Sequence, residues 1–458
     1  MPPTRRTPRE NEAMNVEITP IKTPAELALA AAFKGAKKRL PGGASVARLR
    51  EQALASFVAG GLPHRRIEEW KYTDLRALMR EAVPLADPLD QAALARAQKA
   101  NPLPGVAARA ITLVNGAFAP ELSDLSKAEA GLTILPLARV IAEGHELAAR
   151  IGKILLPHYD APHALNTAFL NDGIVIGLAA GAKLARPIHV RHLFTGTAPA
   201  ATYARTLVIV GDGAIATVIE SFEGPQGIAY QANAAAELSV GDKAWLEYVR
   251  VQAEGEAAIH LATILAEIGA RAKLHTCSLT TGAAISRQSM YLRAAGEGSQ
   301  TRLSGATLLR KEQHADITLF VDHMTQGCTS REIFKSALDH ESRGVFQGKI
   351  VVRPGAQKTD AKMMSAALLL GEGAEADNKP ELEIYADDVV CGHGATAGAL
   401  DENLLFYLRA RGIPLKEAEA LLIRSFIGEA MEAVPHEALR EALLTRAGAW
   451  LSEREQTP

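Results

Sequence analysis

The sequence predicts a mainly β protein with helical regions at both ends, and three observations carry that prediction. Between about 165 and 400, short β-rich runs follow one another, broken by Gly, Asp and Asn. Helical stretches of about ten to fifteen residues between strands are largely missing, which argues against a doubly wound α/β fold. Asn-Gly hairpin signals are also rare. Many short strands with neither kind of connection fit a β-solenoid or a sandwich. No strict hexapeptide or nonapeptide period is visible, so the solenoid, modestly ahead of the sandwich, would be irregular.

The elements follow in order. Residues 1–22, "MPPTRRTPRENEAMNVEITPIK", are polar and proline-bearing and read as a disordered tail, with Met14 as an alternative start. Residues 23–160 read as mostly helical. "TPAELALAAAFKGAKKRL" sets Thr23 three residues before Glu26, the spacing of a capping box. "SVARLREQALASFVAG" repeats apolar residues at three- and four-residue steps. "ARAITLVNGAFAPEL" interrupts with a short strand and turn. Residues 161–400 hold the β core. From 401 helices return: "DENLLFYLRARG" has Asp401 as N-cap and Gly412 as terminator. "PLKEAEALLIRSFIGEAMEAV" starts with Pro414 in its first turn and is apolar at 418, 421, 422, 426 and 430. "PHEALREALLTRAGAWLSERE" is a third amphipathic segment.

The bulk numbers narrow the class. A net charge of −2 points to no nucleic-acid or membrane surface. No apolar run approaches the ~20 residues that span a bilayer, and the N-terminus lacks the apolar core of a secretory signal. Three cysteines, at widely spaced positions, argue against a disulfide framework. The expected location is cytoplasmic.

Two glycine patterns mislead. "TLVIVGDGAIATVIES" contains G-x-G-x-x-A after an apolar strand, but Thr217, Val218 and Ile219 follow where a dinucleotide site needs a helix. A turn between two strands explains it better. "GVFQGKI" resembles a phosphate loop but is one residue short between its glycines and has Ile350 where Ser or Thr should hold magnesium. It reads as a tight turn before "KIVVR". No nucleotide-hydrolysing machinery is visible.

Cys391 and His393, in "EIYADDVVCGHGATAG", are the principal candidates. In an extended strand, side chains at i and i+2 leave the same face. A thiol and an imidazole side by side suit iron, zinc or copper. Gly392 and Gly394 remove bulk and let another surface approach. Two ligands are half of a tetrahedral site, so a second chain would have to complete it. On composition alone, a buried cysteine and a hydrogen-bonded histidine is the favoured, blander reading. His323 and Cys328 form a weaker pair across a glycine turn. Asp387 and Asp388 read as turn carboxylates, and His314, His340 and His436 as isolated surface or core residues.

Several segments resemble a known family. "RGVFQGKI", "QKTDAK", "KPELEIYADDV", "CGHGAT", "FYLRARGI" and, near the N-terminus, "RRIEEWKYTDL" are similar to the SufD side of the SufB/SufD family of the SUF iron–sulfur cluster assembly system. The resemblance is continuous from about 160 to 430 and sparser before. It implies a right-handed parallel β-helix core flanked by N-terminal and C-terminal helical domains. It implies a SufB–SufC₂–SufD complex: a heterodimer with SufB through the β-helices and docking of the ATPase SufC on the C-terminal helices. Asp401, Phe406, Tyr407, Arg409 and Arg411 fall in that docking region. Clusters would form transiently at the SufB interface, and the chain itself would be a non-catalytic scaffold, with ATP hydrolysis left to SufC. A reduced flavin in the complex and a homodimer of the lone chain are compatible with it. The family's Cys-Ser-His-Gly falls on Cys391, Gly392, His393 and Gly394, with more weight on the histidine as a ligand. The rivals are a SufB-like main scaffold and a β-solenoid enzyme acting on carbohydrate.

Overall fold

The computed structural model describes residues 22–98 and 103–456. The expected tail over 1–22, apart from Lys22, and the alternative start at Met14 lie outside these residues. Among the described residues, strands alternate between two sheets, one of ten strands and one of nine. From Asp172–Leu178 onward, each strand pairs in parallel with the next strand of its own sheet, skipping its sequence neighbour. The chain therefore winds as a parallel β-solenoid of about eight turns, and not as a sandwich.

The turns consume unequal lengths of chain. Gln231 pairs with Ile259, Ile259 with Ile285, Ile285 with His314 and Arg343 with Glu375, so a turn takes 26 to 32 residues. One tight corner recurs throughout. Gly181, Gly213, Lys243, Arg271, Gly298, Gly327 and Lys358 all have positive φ. The N–H of each bonds the turn that follows: Lys243 donates to the Ala270 carbonyl at 2.8 Å, and Gly298 to that of Gln326 at 3.0 Å. Glycine takes this left-handed conformation freely, yet Lys or Arg stands in three of the seats.

Side-chain alternation builds two apolar layers from one strand. On Trp245–Ala253, Leu246 and Tyr248 join the coil's interior, while Val249 and Val251 face outward beneath the C-terminal helices. Both faces are buried, so such strands read as nearly continuous apolar runs. The segment "GVFQGKI" is not a turn. It lies within the strand Arg343–Val352, where a Cβ on Gly344 would meet Leu338 at 2.9 Å and one on Gly348 would meet Met363 Sδ at 2.3 Å. These glycines make room for core side chains.

The two ends of the coil differ. At the first, Leu132–Pro136 pairs antiparallel with Asp172–Leu178, and Arg109–Val114 extends the other sheet, so strands from the otherwise helical N-terminal region cover the edge. At the second, Glu375–Ile384 and Val390–Gly398 end their sheets with one edge unpaired among the described residues. The segment from Glu68 to Thr73 straps the outer face of the nine-stranded sheet toward that end. Trp70 is buried under the Arg287 guanidinium, 3.7 Å from its ring centroid. The Glu69 carbonyl accepts from Arg287 and Gln347, and Glu68 pairs with Lys379 on the last turn.

The C-terminal helices Glu402–Arg409, Leu415–Gly428 and Glu437–Gln456 follow. Ile423, Ile427, Met431 and Leu443 pack on Ile219, Val249, Leu279 and Leu308 of the ten-stranded sheet. Lys335 reaches Glu429 at 2.7 Å and lies over the Phe426 ring. Of the expected stripe, Ala418 and Ala430 are fully buried and 422 and 426 half-buried, while Leu421 is 44% exposed; Ile423 and Ile427, not expected, are buried, because the sheet takes the face centred on Ile423. Pro414 is the N-cap of that helix, one position before its first turn. No helix among the described residues is long and apolar enough to cross a membrane.

Candidate functional site

The run "ELEIYADDVV" is split by a turn. Glu375–Ile384 closes one sheet, residues 385–389 cross over, and Val390–Gly398 begins the last strand of the other. Asp387 and Asp388 sit in that turn. Asp388 pairs with Lys358, its N–H donates to Gln357 at 2.9 Å and its carbonyl accepts from Lys358 at 2.6 Å. Cys391 and His393 therefore open the terminal strand, on the last rung of the coil.

Register fixes where they point. Cys391 lies opposite Ala361 and His393 opposite Met363, and both partners are buried in the coil's interior. The thiol and imidazole thus leave on the same, inward face of a rung that has no rung beyond it among the described residues. Cys391 is half-buried against the interior cluster, and His393 is exposed. Gly392 has open space where a Cβ would stand. The strand "VCGHGATAG" offers small residues and an unpaired edge, a surface another strand can approach. Ile384, Tyr385 and Val390 add exposed apolar area beside it. Those three were not singled out from sequence, because they read as one continuous apolar strand.

Burial pushes the Cys391 thiol up; the Ala361 N–H opposes this, and the charges of Asp360 and Glu332 add to it. The thiol stays protonated, so a bound metal has to displace a proton to gain a thiolate. The donor types fit iron or zinc, but among the described residues no three His, Cys, Asp or Glu side chains gather as a metal shell. The pair offers two donors, half of what a tetrahedral metal takes.

The other cysteines do not approach it. Cys277 lies four strands inward, faces the C-terminal helices, and has its thiol pushed up to about 12 by burial. Cys328 is fully buried in a corner, where it accepts from Ser299 Oγ at 3.3 Å. His323 is a core residue: its Nε2 bonds Ser330 Oγ at 3.1 Å, and burial lowers it to about 4. His314 bonds Thr73 under the strap, His340 sits in a corner at positive φ, and His436 Nδ1 accepts from Leu439 N–H near a helix start. All three have ordinary local roles.

A second surface lies on Glu402–Arg409. Asp401 caps it, accepting from Asn403 and Leu404 N–H at 2.8 and 3.1 Å. None of its residues is buried. Leu404, Phe406 and Tyr407 are exposed, Phe406 by 74%. Arg411 stacks on the Tyr407 ring at 3.3 Å and donates to the Tyr407 carbonyl, and Arg409 is exposed. The helix thus holds aromatic and apolar side chains outward on the surface.

Residues 192–426 match the family model described as SUF system FeS cluster assembly, SufBD core domain, and residues 32–190 match the SufBD protein N-terminal region. The iron-sulfur cluster assembly protein SufD of Escherichia coli is 30% identical over 410 residues, covering 87% of this chain and 91% of that protein. An iron-sulfur cluster assembly SufBD family protein of Synechocystis is 31% identical over 83% of this chain and 86% of its own. SufD of Bacillus subtilis is 25% identical over 62% of this chain and 65% of its own.

Proposed function

The chain belongs to the SufBD family of SUF-system iron–sulfur cluster assembly proteins, and from that premise we propose that it is a non-catalytic scaffold subunit presenting His393 and Cys391 to a nascent cluster. The observation that carries this reading is the placement of a thiol and an imidazole on one face of the last rung, at the bare end of the solenoid. A partner coil abutting that end covers the unpaired edge and brings the missing ligands. A SufB chain, built on the same solenoid plan, is the partner the geometry suits.

The chain's own contribution is positional. The strand holds the two donors at a fixed i, i+2 spacing, and the interior cluster beneath Cys391 limits where its sulfur can move. The cluster is cargo, and His393 contributes a neutral nitrogen donor while Cys391 gives up a proton to bind. The exposed helix Glu402–Arg409 is the docking surface for the ATPase SufC, and ATP hydrolysis belongs to that partner. A cytoplasmic location goes with this role.

Co-expression with SufB and SufC under anaerobic conditions tests the reading. Complexes carrying His393→Ala should assemble as wild type does but hold less than half the iron and sulfide. Equal metal content in both would remove His393 from the site.

A further inference from the structure

Two rungs below the bare end lies a carboxyl that has no structural use. Glu332, on Thr329–Leu338, is fully buried; neither of its oxygens meets a donor in good hydrogen-bond geometry among the described residues, and the Ser330 hydroxyl and the Arg331 charge only partly offset its burial. Register stacks it under Met363, which stacks under His393; on the same face Ser330 stacks under Ala361, and Ala361 under Cys391. Only apolar side chains, Met363 and Ala361, lie between the carboxyl and the two candidate ligands. At about 4.8 Å per rung the separation is about 10 Å.

A core carboxyl with unpaired oxygens is costly in either charge state and more so when ionised. Packing alone would favour Leu or Met here. Burial raises its proton affinity to about 8, and its charge in turn acts on the Cys391 thiol. The charged groups around it are otherwise occupied. Arg331, turned outward, holds Asp360 at 2.6 Å, and Asp322 pairs with Arg353 at 2.8 Å. From the facing sheet His323 bonds Ser330, and the inner neighbour strand stacks Leu303 against Glu332.

We propose that Glu332 is the buried counter-charge of the end-rung site: it keeps its proton while Cys391 and His393 are free, releases that proton to solvent when a cation is held there, and the resulting carboxylate stabilises the bound charge. This rests on the reading that the end rung takes a metal. A unit charge at about 10 Å, at an effective dielectric of about 20, changes cation affinity by roughly tenfold where the carboxyl is already ionised, above about pH 8, and by a few-fold at neutral pH, where binding must first drive the proton off. Met363 and Ala361 keep the carboxylate from becoming a ligand itself, so it tunes without coordinating.

The test is anaerobic calorimetric titration of Fe(II) into the full chain, alone and with SufB bound, in two buffers of different ionisation enthalpy. Near pH 7.5 wild type should release more protons per metal than Glu332→Gln, and above about pH 8.5, where the carboxyl is already ionised, the variant should bind roughly tenfold more weakly. Infrared difference spectra of wild type should show a protonated carboxyl lost on metal addition; this needs no variant to fold. Equal proton release and affinity in both chains, with binding that still needs Cys391 and His393, would overturn the inference alone. A chain that takes no Fe(II) through those residues, with or without SufB, would overturn the metal reading and this inference with it.

Discussion

Replacing Glu332 by Gln, which mimics the protonated acid in shape, should make stability less sensitive to pH. The folded chain holds the Glu332 proton to about pH 8, whereas the ordinary carboxyl releases it at 4.5. The folded state therefore binds this proton more tightly than the unfolded chain. Its contribution is fully present below the ordinary value and is lost as pH rises toward the folded one. Between about pH 5.5 and about pH 8.5, linkage from those two values gives a relative loss on the order of 3 kcal/mol for wild type against the variant. Water penetration or relaxation at the open end would reduce the figure, not reverse its sign. Urea unfolding at several pH values in that window, with metal absent, measures it. Two stability curves running parallel across the window would show that Glu332 does not titrate in the fold, and the counter-charge argument would lose its footing.

The remaining predictions probe separate parts of the molecule. His393→Ala should leave the urea midpoint within experimental error, because the ring is exposed; a large loss of stability would mean the histidine is structural. Phe406→Asp should leave the fold intact and abolish co-purification with SufC, a cleaner test than deleting 401–458, which would also bare Val249, Leu279 and Leu308; a variant that still co-purifies moves the docking surface elsewhere. Trp70→Ala should cost about 3–5 kcal/mol through cavity formation, and would also strip the Arg287 guanidinium of its ring; a loss under about 1 kcal/mol would show that the strap is not held by this residue. Lys243→Gly should stabilise by about 0.5–1 kcal/mol, since it removes a side chain from a left-handed seat; no change in melting temperature would contradict that.

Much of the architecture was legible in the residues, and the exceptions have physical causes. The capping box appears as read, with Glu26 N–H donating to Thr23 at 3.2 Å and Thr23 N–H to Glu26 at 2.6 Å. The solenoid repeat stayed hidden because its constant feature is a backbone conformation. Its corners are Gly in some turns and Lys or Arg in others, 27 to 32 residues apart, and each is satisfied by a bond from N–H to carbonyl that needs no particular side chain. "GVFQGKI" was misread as a turn because glycine serves two purposes: here it clears space for Met363 and Leu338. In the helix stripe Ala418 and Ala430 are buried as expected, but Ile423 takes the place of Leu421, because which face is buried depends on the sheet beneath it. For the site, the i, i+2 spacing placed Cys391 and His393 on one face correctly. Glu332 gave no signal, since 59 residues of chain separate it from Cys391 and only the coil's register stacks them in neighbouring columns.

X-ray absorption at the iron edge of the purified complex with SufB and SufC tests the central claim most directly. A shared pocket at the end of the solenoid predicts a mixed first shell of sulfur with light N/O donors, and a loss of light-atom scattering in the His393→Ala complex at equal iron loading. An identical iron environment in wild-type and His393→Ala complexes would contradict it.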